Sequence, residues 1–177
     1  MGEIKIEKAG VSDVLLLRDT ALKAYGDHYL HLWYDEGKWY LEKYFSVERL
    51  TTELSDLNAR FFIAYYIGEP VGFLKLNLNA SVESTEDKSA LELERIYLTS
   101  KATGRGIGKE LVELTLQIAR EYNKNVVWLK AMDTSAKAIS FYRNMGFEIA
   151  GTYKLEHAMM KEELRGMVIM KRTVERA

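Results

Sequence analysis

The sequence predicts a mixed α/β domain in which a largely antiparallel sheet takes in one parallel crossover. Three observations carry this. Residues 61–79 read as two aromatic and β-branched strands around Gly68-Glu69-Pro70, a hairpin pattern. Residues 90–98 (ALELERIYL) read as a strand whose apolar alternation changes phase: Leu91 and Leu93 share one phase, Ile96 and Leu98 the other. Side chains alternate with a period of two, so a β-bulge is expected near Glu94–Arg95. From residue 99 onward the pattern becomes loop-α-β-α-β, which adds the crossover.

The elements follow in order. Ile4 and Ile6 alternate with charged residues in a short first strand. Ser12, with Asp13 in the first turn, is expected to cap a helix that buries Val14, Leu17 and Leu22 and fades near Gly26. Residues 28–45 hold His28, Tyr29, His31, Trp33, Tyr34, Trp39, Tyr40, Tyr44 and Phe45 with Asp35, Glu36 and Glu42 among them, and are expected to be partly helical. Ser46 caps a helix to about Leu57. After the hairpin, residues 80–89 form an acidic loop. Ile107, Leu111, Leu114 and Ile118 recur at helical spacing, and Asn123 to Asn125 break that helix. Val126 to Ala131 is a buried strand. Ser135 caps a helix through Met145, closed by Gly146, and strands 147–153 and 167–172 complete the chain.

Composition narrows the functions. A chain of 177 residues fits one domain, 1–177, that buries roughly 70% of its unfolded surface. With 25 Lys and Arg against 26 Asp and Glu, nucleic-acid binding is not expected. Zero cysteines exclude disulfides, thiolate metal sites and a cysteine nucleophile. Neither a secretion signal nor a myristoylation pattern is present, and the longest apolar run, Phe61 to Ile67, is too short to span a bilayer, so a cytoplasmic protein without membrane association is expected.

The chemistry-bearing segment is Thr103-Gly104-Arg105-Gly106-Ile107-Gly108-Lys109, between a strand and a helix. Glycines allow positive φ and close backbone approach, and a helix start directs free N–H groups and a positive dipole end at the same place. Such a loop suits a phosphate or pyrophosphate. A P-loop fits poorly because position 103 is Thr and Glu110 follows Lys109, which leaves a nucleotide-binding module as a distant alternative. The dinucleotide fingerprint also fits poorly, because the spacing is Gly-x-Gly-x-Gly and no acid ends the next strand.

About thirty residues later comes Ala138-Ile139-Ser140-Phe141-Tyr142-Arg143-Asn144-Met145-Gly146-Phe147. With the bulged strand and the glycine loop, this resembles the GNAT family of N-acetyltransferases, whose loop aligns on residues 103–108 and whose Ala-Ile-x-x-Tyr-x-x-x-Gly-Phe segment aligns on 138–147. The segment LELERIYL, the hairpin and the aromatic-acidic N-terminal region are similar to PaiA-type polyamine (spermidine and spermine) acetyltransferases. The resemblance implies a twisted, mostly antiparallel sheet of about seven strands with a splayed parallel pair and about four flanking helices.

It also implies acetyl-CoA as co-substrate, held between the splayed strands. Backbone groups of Ile96, Tyr97 and Leu98 would meet the pantetheine, and the amides of Gly104, Arg105, Gly106, Ile107, Gly108 and Lys109 the pyrophosphate. The helix at Ser135 would flank the pantetheine, with Lys137 near the mouth. The amine attacks the thioester directly, and Tyr142 is the expected general acid for the departing thiolate. Glu94, or Glu92 beside it, is the candidate base, with recognition of substrate charge as the alternative role. Two positions depart from the family pattern: Thr103 replaces Gln or Arg, and Ser135 replaces Asn. A non-catalytic acyl-CoA regulator, or an acetyltransferase for a peptide, amino sugar or other small amine, are the competing readings.

Acids set among aromatics suit a polycation through ion pairing and cation–π contact, so Asp35 and Glu36 are candidate substrate contacts, together with the acidic loop Glu83, Glu86 and Asp87. An alternative use for the aromatics of 28–45 is to cover a homodimer interface. His28-x-x-His31 with Asp35 lacks a defined third ligand, and no metal is expected.

Overall fold

The computed structural model describes residues 2–82 and 88–176. The acidic residues Glu83, Glu86 and Asp87 lie outside the described residues. Among the described residues the order is β1 (Ile4–Ala9), α1 (Val14–His28), α2 (Lys38–Tyr44), α3 (Val47–Ser55), β2 (Ala59–Tyr66), β3 (Glu69–Asn77), β4 (Ala90–Leu98), α4 (Ile107–Glu121), β5 (Val126–Met132), α5 (Ala136–Asn144), β6 (Glu148–Lys154) and β7 (Gly166–Thr173). The strands form one sheet in the order β1-β2-β3-β4-β5-β7-β6. Among the described residues only the β4–β5 pair is parallel.

Each face of the sheet has its own apolar core. Leu17, Ala21 and Tyr25 of α1, Phe45 and Leu50 of α3 and its approach, and Phe61, Ile63 and Phe73 of the hairpin pack on one face. Ile107, Leu111 and Val112 of α4 pack on the other, against Leu74, Leu76, Leu91, Leu93, Val127 and Leu129.

The expected bulge is present. Lys75 pairs with Arg95 and Leu76 with Leu93, so Glu94 is the extra residue. The result is that Leu91 and Leu93 before it, and Ile96 and Leu98 after it, all contribute to the α4-side core. A phase conflict in the sequence is thus resolved as one continuous apolar face.

The cap of the first helix differs from the expectation. Residues Val11–Asp13 form a 3-10 turn, and it is the Asp13 carboxylate that accepts from the Gly10 N–H at 2.8 Å. The helix also runs through Gly26 to His28. Burial of Leu17, Ala21, Ala24 and Tyr25 outweighs the cost of about 1 kcal/mol for a helical glycine. The caps at Ser46 and Ser135 are as expected: their hydroxyls accept from Arg49 N–H (3.2 Å) and Ala138 N–H (3.3 Å).

Gly72 marks a close approach between β3 and β4. A Cβ there would lie 2.5 Å from the Tyr97 carbonyl oxygen and overlap the Leu98 side chain. Gly72→Ala is therefore expected to destabilise the fold by about 2–3 kcal/mol, read as a lower urea midpoint at unchanged slope.

Candidate functional site: a cleft between diverging strands

β4 and β5 pair only at their starts. Ala90, Leu91 and Glu92 stand beside Val126, Val127 and Trp128, and no pairing follows. The bulge at Glu94 comes two residues after the last pair and turns β4 away. The strands' later residues leave a cavity of about 720 Å³, walled by Glu92 to Tyr97 of β4, Lys130 to Met132 of β5, Ser135, Ala138 and Tyr142 of α5, and aromatic residues of α1 and α2.

The expected site residues divide into two groups. Glu92, Glu94, Ile96, Tyr97, Ser135 and Tyr142 all line this cavity. Gly104, Arg105, Gly106 and Lys109 lie exposed at the start of α4, while Ile107 is buried and anchors the helix and Gly108 is half-buried. Gly104 and Gly106 have φ of 74° and 83°, a backbone that side chains disfavour, so glycine is what lets the loop turn into the helix. The first N–H groups of α4 then have no partner within the helix. Leu98 packs in the α4-side core, and Lys137 is exposed. The Arg105 guanidinium rests over the Tyr66 ring at 5.6 Å, and Lys109 lies 3.7 Å from Glu113.

Asp35 and Glu36 are not among the cavity-lining residues. Asp35 accepts from Gly37 N–H (3.1 Å) and Trp39 N–H (2.7 Å), so both its oxygens organise the turn into α2. Glu36 takes φ of 58° in that turn.

Tyr142 sits on α5 between Phe141 (5.0 Å between ring centres) and Phe147 (5.8 Å). Burial, with a smaller contribution from Tyr29, pushes its hydroxyl well above the ordinary phenol range. It therefore keeps its proton at any physiological pH.

The two carboxylates have different surroundings. Glu94 is ion-paired with Lys75 (2.8 Å) and Arg95 (3.2 Å). Glu92 accepts from the Asn77 side-chain amide at 2.9 Å and, among the described residues, makes no ion pair. Burial raises its carboxyl above the ordinary range, the nearby Glu94 charge adds to the rise, and Asn77, Lys130 and Lys75 oppose it.

The opposite wall is aromatic. Tyr40 stacks on Tyr25 and on Trp33, each at 4.7 Å, and lies 4.6 Å from Tyr44. Tyr97 meets Tyr25 at 5.2 Å and Tyr29 at 5.3 Å. The Trp33 indole donates to the Tyr25 hydroxyl at 2.8 Å. His157 also lines the cavity, against Trp33 (5.9 Å) and Trp39 (5.6 Å). Burial and the cations Lys43 and Arg165 lower its pKa, which favours the neutral ring.

Sequence reasoning missed Lys130, His157 and the buried cations. Lys75 carried a signal, since it is the lone charge in the apolar run Val71 to Leu76. His157, in the coil between β6 and β7 and outside either motif, carried none.

Comparison with known proteins accords with this geometry. The description of the acetyltransferase (GNAT) family matches residues 17–147. An N-acetyltransferase of Lactobacillus delbrueckii subsp. lactis, described by its position in the pepI 3′ region, is 34% identical over 107 residues, 60% of this chain and 62% of the relative. Two further relatives are matched over 38% and 66% of their length. A spermidine N(1)-acetyltransferase of Thermoplasma acidophilum is 27% identical over 165 residues, 90% of this chain and 97% of the relative. The crystal structure of the PaiA N-acetyltransferase of the same organism, in complex with coenzyme A, superposes with a TM-score of 0.76 at 22% identity, covering 97% of this chain and 99% of that one. No helix among the described residues is long and apolar enough to cross a membrane. The match over residues 17–147 shows that the chain belongs to the acetyltransferase (GNAT) family.

Proposed function

We propose that residues 1–177 act as one N-acetyltransferase domain that moves an acetyl group from acetyl-CoA to a primary amine. The observation that carries the reading is the cleft itself: two parallel strands part beside a bulge, Tyr142 stands in the wall, and the glycine-led start of α4 meets α5 where Gly108 faces Phe141.

The residues present fit acetyl-CoA. The Gly104 to Lys109 turn offers helix-start N–H groups that have no partner within α4 and two exposed cations for a pyrophosphate, and Arg105 can leave the Tyr66 ring to reach it. Beyond the bulge, Ile96 and Tyr97 offer backbone groups that β5 does not pair. Ser135 uses its hydroxyl oxygen to cap α5, so its proton remains available to a pantetheine carbonyl. Acetyl-CoA supplies a thioester carbonyl carbon, which the amine nitrogen attacks as the C–N bond forms and the C–S bond breaks. The ammonium first loses a proton to solvent, and Glu92 takes the second proton that the nitrogen sheds as the C–N bond forms and passes it on to solvent. Tyr142 gives its phenol proton to the departing sulfur and recovers one from solvent.

For the acceptor we favour spermidine or spermine. The names of relatives and the chemistry of the wall support this: the rings of Tyr25, Tyr29, Trp33, Tyr40 and Tyr97 suit a cationic chain, and Glu92 suits its reacting end. The test is thiol release from acetyl-CoA across a panel of amines led by these two; the chain has no cysteine and contributes no background thiol. Release that depends on the polyamine is expected. Release with another amine alone replaces the acceptor, and acetyl-CoA binding without release from any amine favours a regulator.

A further inference from the structure

Beneath the cleft lies a group of charges removed from water. Lys75 of β3 is 6% exposed, Arg95 of β4 7% and Glu53 of α3 7%. Burying a charge is costly unless it is paired. Glu53 is the centre of the pairing. Its carboxylate accepts from Arg95 through both guanidinium ends (3.0 and 3.2 Å) and lies 3.2 Å from the Lys75 ammonium. Arg49, one helical turn earlier, adds a contact at 2.7 Å from the surface side. Burial alone would raise the Glu53 carboxyl, but Arg95, Lys75 and Arg49 outweigh it and hold it below the ordinary range.

The same two cations hold the bulge residue, since Glu94 pairs with both. The Asn77 amide then lies 3.4 Å from Glu94 and 2.9 Å from Glu92. A continuous polar chain thus runs from α3, which does not line the cavity, to the carboxylate that does: Glu53, then Lys75 and Arg95, then Glu94, then Asn77, then Glu92.

Charge counting shows what Glu53 does there. Two buried cations face two anions, Glu53 and Glu94. Without Glu53 one positive charge is left over directly beneath the cleft. It would draw on the carboxylates above it, and it would repel a cationic acceptor. We infer that Glu53 is a positioning residue for the reaction: by neutralising Lys75 and Arg95 from below, it fixes Glu94 in the bulge and leaves Glu92 free of an ion pair in the cleft. Glu92 is faced by Glu94 on its own strand, Lys75 on β3, Lys130 on β5, and across the cavity by His28, His31 and His157, so its charge answers to any imbalance among them.

The inference borrows the acetyltransferase reading only for its kinetic arm. The first measurement is independent of activity: the Glu92 carboxyl is titrated by 13C NMR, assigned with Glu92→Gln, in the wild type, Glu53→Gln and Lys75→Met. Glu53→Gln leaves surplus positive charge and should move the Glu92 titration down by about one pH unit; Lys75→Met leaves surplus negative charge and should move it up by a similar amount. Glu53→Gln/Lys75→Met removes one charge of each sign and should return it to near the wild-type position. That reversal distinguishes charge balance from loss of packing, and the double variant and Lys75→Met keep the test intact if Glu53→Gln folds poorly. In the kinetic arm, Glu53→Gln should raise the KM for the amine about tenfold, shift the acidic limb of kcat/KM the same way as the NMR titration, and recover in the double variant. Titrations that coincide in all four proteins, or that shift with one sign in both single variants, overturn the inference. The opposed NMR shifts together with no amine-dependent CoA release would uphold the charge coupling of Glu53 to Glu92, and overturn both its positioning role in the reaction and the acetyltransferase reading.

Discussion

Tyr142→Phe is expected to lower kcat by about 10²-fold or more while acetyl-CoA binds as before. The substitution removes one oxygen and keeps the ring, so the contacts with Phe141 and Phe147 survive and the α4-side core that Tyr142 packs against is not opened. What is lost is a proton donor beside the place where β4 and β5 part. Burial keeps that donor protonated, so the wild type should show no alkaline loss of kcat traceable to Tyr142 below the ordinary phenol range. Steady-state rates combined with a calorimetric titration of acetyl-CoA separate the effects. A fall in kcat at unchanged affinity is expected; unchanged kcat removes Tyr142 from the chemistry, and a parallel loss of affinity makes it a cofactor contact.

Glu92→Gln should lower kcat/KM for the amine by about 10²–10³-fold, and it should do so without destabilising the protein. The Glu92 carboxyl is raised in the folded chain, first by burial and then by Glu94. A carboxyl raised on folding contributes stability that is present in full below its unfolded pKa and is lost as pH rises through the folded pKa. At neutral pH Glu92 is therefore a cost to the fold, and its amide isostere should hold Tm or raise it slightly while activity collapses. Protonation has the opposite consequence for rate: the wild-type kcat/KM should fall as pH drops through the raised Glu92 value, giving an acidic limb above the ordinary glutamate range. Thermal melts and the pH–rate profile of both proteins check this. A variant that loses stability along with activity would make Glu92 a structural residue, and a retained acidic limb in Glu92→Gln would assign that limb to another group.

The choice of Glu92 shows what the sequence could and could not convey. Both acids were legible as neighbours of a bulge, because the change of apolar phase between Leu93 and Ile96 can be read from residues two apart. Their separation into one paired and one unpaired carboxylate was not, because it depends on Lys75 and Glu53, 19 and 41 positions before Glu94 in the chain. Local signals were reliable where one element decides them. Ser46 and Ser135 cap as their spacing indicated, and the left-handed loop glycines precede α4. Ser12 misled because two polar residues stood at the helix start, and Asp13 met the Gly10 N–H instead. The aromatic run 28–45 was legible as unusual, but its direction was not. The rings of Tyr29, Trp33, Tyr40 and Tyr44 turn toward the cleft, whereas Asp35 turns back onto its own backbone.

The most direct test of the account follows the acetyl group. Acetyl-CoA labelled in the acetyl carbon is incubated with the protein and spermidine, spermine or another amine of the panel, and the label is located by mass spectrometry on amine, protein and thioester. The account predicts label on the amine nitrogen, none retained covalently on the chain, and a transfer that Tyr142→Phe slows. Label that stays on the thioester with every amine, in a protein that binds acetyl-CoA, would contradict it.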